Sequence, residues 1–277
     1  MKEVNAMKAV LAMILEVSAT PKPGNVDRDH DFTDTKYEHF LVSAVSSYPV
    51  FLQMVGKRRE LGSWIRKLVN SSKFMRGGGN THLGTFILIS PLVMASDEKN
   101  VFQKAYEIVK KTTFEDAVDL YLAIRESGAY IPPSDTLSVY DDESVRKLRE
   151  EKITMYDVLS ISSKYDMISD ELVSGFERVK RYSELLLSLW DLGVNEAIVR
   201  TYLRLLSDEE DTFIVNKYGK EVAKDVRRRA REVIDDFSMS KLLEFDEHLI
   251  SRGVNPGSSA DIICGAIYVA LLRGAEI

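Results

Sequence analysis

Cysteine occurs once in the 277 residues, at Cys264. An intramolecular disulfide is therefore excluded, and so is a metal cluster built on several thiolates. Cys264 lies in the apolar run Ile262-Ile263-Cys264-Gly265-Ala266-Ile267, where a buried structural thiol is expected rather than a nucleophile. A basic excess is missing as well. Lys and Arg number 37 against 43 Asp and Glu, for a net charge of −6. That balance argues against a nucleic-acid partner, which calls for a basic footprint. A small polyphosphate needs only a local basic spot, so ATP is not excluded. Long apolar runs are absent too: residues 86–95 are too few to span a bilayer. Residues 9–19 look like a secretory leader only at first sight. Glu16 interrupts them, and they run into Pro-Lys-Pro-Gly instead of a cleavage site. A cytoplasmic protein with no membrane partner is the expectation.

No stretch alternates like a strand, no segment repeats, and no low-complexity linker divides the chain. What remains is helical period. Val4, Met7, Leu11, Ile14 and Ser18 step by three and four, as do Tyr37, Leu41, Ala44, Tyr48, Leu52 and Val55. Ile168, Leu172, Phe176, Val179, Leu186 and Leu189 trace one long helix. Val222, Val226, Ala230 and Val233 trace another, whose opposite face of Lys and Arg reads as solvated surface. Thr113 and Thr154 each precede an aspartate by three residues, as helix caps do, and Gly128, Gly193 and Gly253 fall where helices should stop. Residues 131–142, with Pro132-Pro133, form the clearest long loop. With 45% hydrophobic and 29% charged residues, this predicts an all-α protein: a single compact domain over residues 1–277, with roughly a dozen helices.

Five polar islands interrupt the helical pattern. In the first, Thr20-Pro21-Lys22-Pro23-Gly24-Asn25-Val26-Asp27, two prolines stiffen the chain around Lys22 and Gly24 permits a turn. A lysine held in this way suits a phosphate; the alternative is a rigid interhelical loop with an exposed lysine. Asp27, Asp29, Asp31 and Asp34 follow, either as a divalent-cation site or as a polar loop with a helix cap. The second island, Arg76-Gly77-Gly78-Gly79-Asn80-Thr81-His82-Leu83-Gly84, places glycine N–H groups ahead of a helix, as an anion cradle would. It lacks the Walker ending, and no strand precedes it. Asn80 or Thr81 could equally cap the helix, with His82 a satisfied first-turn residue. The third island sets Asp166, Asp170 and Glu171 before Gly175-Phe176. In the fourth, Asp211 looks like an N-cap and Lys217 points toward Gly219. The fifth, Asn255-Pro256-Gly257-Ser258-Ser259-Ala260-Asp261, opens a C-terminal helix in which Asp261 should be partly buried, and a buried acid needs a partner or a metal.

Taken in order, the islands resemble the triphosphoribosyl-dephospho-CoA synthase family from about residue 10 to residue 272. Lys22, Pro23, Gly24, Val26 and Asp27 match its Lys-Pro-Gly-x-Val-Asp segment, and Asp34 matches a further aspartate. Phe40 and Ser43 match Phe-x-x-Ser; Asn80, Thr81, His82 and Gly84 match Asn-Thr-His-x-Gly. Glu171 with Gly175-Phe176, Asp211-Thr212-x-Ile214, and Gly257 with Ser259-Ala260-Asp261 complete the set. Leu83 and Ser169 stand where the family has a lysine and an arginine, and a histidine before the Asp34 position is missing. The departures look like those of a divergent, archaeal-type branch.

The resemblance implies an enzyme that moves the triphosphoribosyl group of ATP to a ribose hydroxyl of dephospho-CoA, with release of adenine and with Mg²⁺ on the triphosphate. It places Lys22, Gly24, Gly78, Gly79, Asn80, Thr81 and Lys217 on the nucleotide. Asp34, His82, Glu171 and Asp261 are the implied catalytic residues, and Asp27, Asp34, Glu171, Asp211 and Asp261 the implied metal ligands. Three other readings stay open: transfer to another coenzyme precursor such as a pterin, hydrolysis of a ribosyl bond, and nucleotide binding without catalysis. The partners expected are small molecules only, and a homodimer stays open.

Overall fold

Helices account for all the regular structure in the computed structural model, which describes residues 1–73, 79–131 and 137–277. Among the described residues there are fifteen α-helices, one short 3₁₀ turn and no strand, as the helical period predicts, with more helices than the dozen expected. The chain gathers into two compact units.

The first unit comprises Met1–Leu11 and His39–Glu177. It takes in the start of α1 (Lys2–Ser18) and most of α2 (Tyr37–Met54), followed by α3 (Leu61–Ser72), α4 (Leu83–Met94) and α5 (Val101–Lys110). Then come α6 (Phe114–Ser127), α7 (Asp142–Glu150), α8 (Met155–Ser162) and α9 (Met167–Ser174). The stripe expected on α1 is not its buried face. Val4 and Met7 are 46% and 49% exposed, whereas Ala6, Ala9, Ala12, Met13 and Val17 are buried. Small side chains let a helix axis approach its neighbours closely, so a face of alanines can be the packed one although larger residues lie beside it. On α2 the buried set is Ser43, Ala44, Ser47, Phe51 and Met54, and the Ser47 hydroxyl is satisfied by donating to the Ser43 carbonyl at 2.7 Å.

The tightest approach in this unit is between α3 and α6. A Cβ on Gly62 would lie 2.1 Å from the carbonyl oxygen of Asp116, so only glycine fits there. Asp116 serves twice. Its Oδ2 accepts from Thr113 N to complete a capping box, and its Oδ1 accepts from Gly62 N at 2.9 Å. Thr154 and Asp157 form the same box on α8. The helix expected to run unbroken from 168 to 189 stops at Ser174. Gly175 (φ 89°) and Phe176 (φ 69°) are both left-handed, and the Phe176 N–H returns to the Glu171 carbonyl at 2.8 Å in a Schellman-type ending. The apolar period survives the break, since Leu172, Phe176, Val179 and Leu186 are all 0% exposed.

The second unit comprises Ala12–Glu38 and Arg178–Ile277. It holds the end of α1, nearly all of α10 (Glu177–Ser188), and α11 (Val194–Asp208), α12 (Thr212–Tyr218), α13 (Lys220–Asp235), α14 (Met239–Ile250) and α15 (Gly257–Leu272). Helix α11 packs against α13 and α15. Ala223, Val226, Ala230 and Val233 form the buried face of α13. Its basic face is a surface network in which Arg228 and Arg229 pair with Asp225, and Arg228 also with Glu232. From Ile262 to Leu271, α15 is buried throughout. Cys264 lies inside that run, and burial pushes its thiol well above the ordinary range, as suits a structural thiol and not a nucleophile.

Candidate functional site

The first island turns inward. Lys22 is 1% exposed, Asn25 5% and Asp27 0%. The ammonium of Lys22 forms an ion pair and hydrogen bond with Glu16, the residue that interrupts the apolar run of α1. It also lies 6.0 Å from the centroid of the Tyr202 ring on α11. Burial pushes the Glu16 carboxyl above its usual range, and the Lys22 charge works against that shift. Lys22 is therefore a buried cation held by one carboxylate, in contrast to the exposed lysine of the loop alternative.

The backbone of this loop is fastened at several points. Asn195 brackets Thr20, accepting from its N–H at 3.0 Å and donating to its carbonyl at 2.8 Å. The Tyr202 hydroxyl donates to the Pro23 carbonyl at 2.9 Å and receives the Asn25 amide. Buried among these groups, Tyr202 has its pKa raised well above 10. Asp27 accepts through Oδ2 from Lys22 N at 3.2 Å, and through Oδ1 from Asp29 N at 2.9 Å and His30 N at 3.0 Å. Gly24 has φ 76°, and a Cβ there would meet the Val254 carbonyl oxygen at 2.5 Å, so its glycine is required twice over. Its N–H donates to Asp246 Oδ1 on α14 at 3.0 Å. Asp246 is 1% exposed, and burial raises its carboxyl above the usual range, opposed by the Gly24 N–H and by His30. The remaining oxygen of Asp246 faces His30 Nδ1 at 3.2 Å, and Asp27 Oδ1 lies 3.6 Å from the same nitrogen.

The other predicted residues of this unit are placed differently. Asp211 caps α12, as its position suggests: Oδ1 accepts from Ile214 N at 3.0 Å. Its Oδ2 accepts from both Ser259 N (2.7 Å) and Ser259 Oγ (2.8 Å), which ties the start of α12 to the start of α15. Asp261 is the fifth residue of α15, past the first turn, and half-buried. Asp34 is exposed and accepts from Thr35 Oγ1 at 3.2 Å. Lys217 is exposed at the end of α12, with its ammonium 5.4 Å and 5.2 Å from the ring centroids of Phe213 and Tyr218.

Within the first unit the second island meets the Phe-x-x-Ser segment of α2. His82 is 2% exposed, its Nδ1 is 2.9 Å from Ser43 Oγ, and the Phe40 ring stands edge-on to it at 4.9 Å. Asn80 accepts from the N–H of Leu83, the first residue of α4, at 3.2 Å, while His82 holds the cap position. Gly79 and Thr81 are half-buried, while Arg76, Gly77 and Gly78 lie outside the described residues. Glu171 is 0% exposed in α9. Ser169, which replaces the family's arginine, sits in a hydroxyl network, donating to Asp166 at 2.6 Å and receiving from Ser162 at 2.9 Å.

Four residues of the buried centre carry no motif in the chain: Glu16, His30, Tyr202 and Asp246. Glu16 alone left a trace, as a charge inside an apolar run. Asp246 lies in Glu244-Phe245-Asp246-Glu247-His248, which reads like any solvated helix face.

Fold and site together define an all-helical protein with a buried lysine–carboxylate centre at the end of its first helix. The family described as ATP:dephospho-CoA triphosphoribosyl transferase matches residues 3–277. A Malonomonas rubra protein, provisionally named 2-(5''-triphosphoribosyl)-3'-dephosphocoenzyme-A synthase, is 28% identical over 133 residues. That alignment covers 45% of this chain and 42% of the relative's length, so the match spans less than half of the curated protein. An Archaeoglobus fulgidus crystal structure, provisionally named triphosphoribosyl-dephospho-CoA synthase, is similar with a TM-score of 0.75 and 30% identity. The similarity covers 87% of this chain and all of that one. The chain belongs to the ATP:dephospho-CoA triphosphoribosyl transferase family.

Proposed function

We propose that this protein transfers the triphosphoribosyl group of ATP to a ribose hydroxyl of dephospho-CoA and releases adenine. The observation that carries the reading is the family match over residues 3–277 combined with a Lys22–Asp27 segment that is buried and fastened by hydrogen bonds. In the reaction the acceptor oxygen bonds to the anomeric carbon of ATP as the N-glycosidic bond breaks. The hydroxyl proton passes to a base, and the departing adenine takes up a proton. Positive charge develops on the sugar, so carboxylates beside it lower the barrier.

Asp34 and Asp261 have side chains that solvent reaches and are assigned to receive the hydroxyl proton. Glu171, closed from solvent, is assigned to stabilising charge. His82, oriented by Ser43, is assigned with Asn80 and Thr81 to positioning the sugar or the leaving base. Lys22 and Lys217 supply positive charge to the phosphates, with Glu16 setting where the Lys22 ammonium rests. A divalent cation would neutralise triphosphate charge when bound. The donor set fits one, because Asp27 and Asp246 bring buried carboxylates to the same place from distant parts of the chain.

Incubation with ATP and Mg²⁺, with and without dephospho-CoA, tests the proposal through free adenine. Adenine that appears only with dephospho-CoA, in equal amount to the coupled product, is the expected result. Adenine without acceptor would establish hydrolysis instead. ATP binding with no adenine release, with dephospho-CoA or a pterin acceptor present, would remove the transferase reading.

A further inference from the structure

Asp27, His30 and Asp246 form a cluster that none of the functional roles above uses as a unit. Each offers one donor atom, and the three atoms lie within 4.8 Å of one another. Asp27 and His30 come from the loop after α1, and Asp246 from α14 more than two hundred residues later, so tertiary packing assembles the set. Both carboxylates are essentially closed from solvent, at 0% and 1% exposure. Neither makes an ion pair with a lysine or arginine side chain among the described residues; the side-chain nitrogen facing both is His30 Nδ1. Lys22, the buried ammonium nearby, is already paired with Glu16.

The histidine faces both carboxylates. His30 Nδ1 is shielded from solvent and makes no hydrogen bond among the described residues, although carboxylate oxygens lie 3.2 Å and 3.6 Å away. A buried nitrogen without a hydrogen bond is costly, and a bound cation would satisfy it. The spacings agree. Ligands about 2.1 Å from a metal are about 3.0 Å apart at a right angle and about 3.4 Å apart at a tetrahedral angle. One imidazole with two carboxylates is also chemically selective. Mg²⁺ and Ca²⁺ take oxygen donors, whereas imidazole favours first-row transition ions.

We infer that Asp27, His30 and Asp246 bind one divalent transition-metal ion, with Mg²⁺ a weak competitor. The inference deepens the reading above at Asp27, yet it is measured with no ATP or acceptor present. The full-length protein is stripped with chelator and titrated with Mn²⁺, and the loss of the free-ion electron paramagnetic resonance signal is followed. One Mn²⁺ per chain is expected, displaced by Zn²⁺ at near-equal concentration and retained against a hundredfold excess of Mg²⁺. Asp246→Asn and His30→Gln should each weaken Mn²⁺ binding by more than about tenfold. His30 is partly exposed and its Nδ1 makes no hydrogen bond among the described residues, so the second variant keeps the test intact if the first fails to fold. Absence of bound Mn²⁺, or binding unchanged in a folded His30→Gln protein, overturns the inference. Equal competition by Mg²⁺ overturns its choice of metal. Mn²⁺ binding with no adenine release would leave the metal site standing and remove only the transferase reading.

Discussion

Replacing Lys22 by methionine removes the ammonium but keeps most of the side-chain volume, leaving Glu16 buried with no cationic partner. Glu16 is 5% exposed and Lys22 1%, so solvent screening offers little relief. Breaking a buried pair by deleting one partner costs about 3–5 kcal/mol. The loss should depend on pH, and the sign follows from the direction of the Glu16 shift. Burial raises Glu16 in the folded protein even with Lys22 present. Without Lys22 the opposing charge is gone and the carboxyl rises further. The folded state then holds a proton that the unfolded state has released, so stability falls as pH rises from about 4.5 through the folded pKa. Urea unfolding of wild type and Lys22→Met at pH 5 and pH 7, followed by circular dichroism and tyrosine fluorescence together, measures this. The variant should be destabilised more at pH 7 than at pH 5. Adding Glu16→Gln should restore a large part of the loss, since the stranded charge is removed. A Lys22→Met protein within about 1 kcal/mol of wild type at both pH values would refute the reasoning. So would a double variant no more stable than the single one.

Two further outcomes follow from the same geometry. Asp211→Ala strips the cap from α12 and leaves the Ile214 and Ser259 N–H groups and the Ser259 hydroxyl without their acceptor. It should cost about 2–4 kcal/mol in denaturant unfolding, while an Asp211→Asn variant retains part of that. Asp34→Asn and Asp261→Asn should each abolish adenine release while leaving the unfolding midpoint close to wild type; full activity in either folded variant removes that residue from the catalytic set.

Much was legible before the chain was folded. Helix existence follows from the three-and-four spacing, and the stop at Gly128 follows from a residue that ends a helix at little cost. Thr113, Thr154 and Asp211 announce their caps because capping is a local interaction, settled within four residues. Phe40, Ser43 and His82 are all in recognisable segments, although nothing in the chain says that the three side chains touch.

Which face a helix buries was less accessible. The stripe of larger residues on α1 lost to its alanines, because packing rewards close approach as well as side-chain size. The break at Gly175-Phe176 was hidden by an apolar period that continues across it.

The residues themselves determine the all-helical class, the order of the five islands and the family to which they belong. These rest on local spacing and on residue identity, both written along one dimension. Tertiary structure decided that Lys22 is a buried ion-paired cation, that Asp211 clasps two helix starts, and that Asp246 reaches the Lys22–Asp27 loop. Each of these depends on a partner distant in the chain or on the loss of solvent. A carboxylate on a solvated helix face and one sealed against a loop are spelled with the same letter.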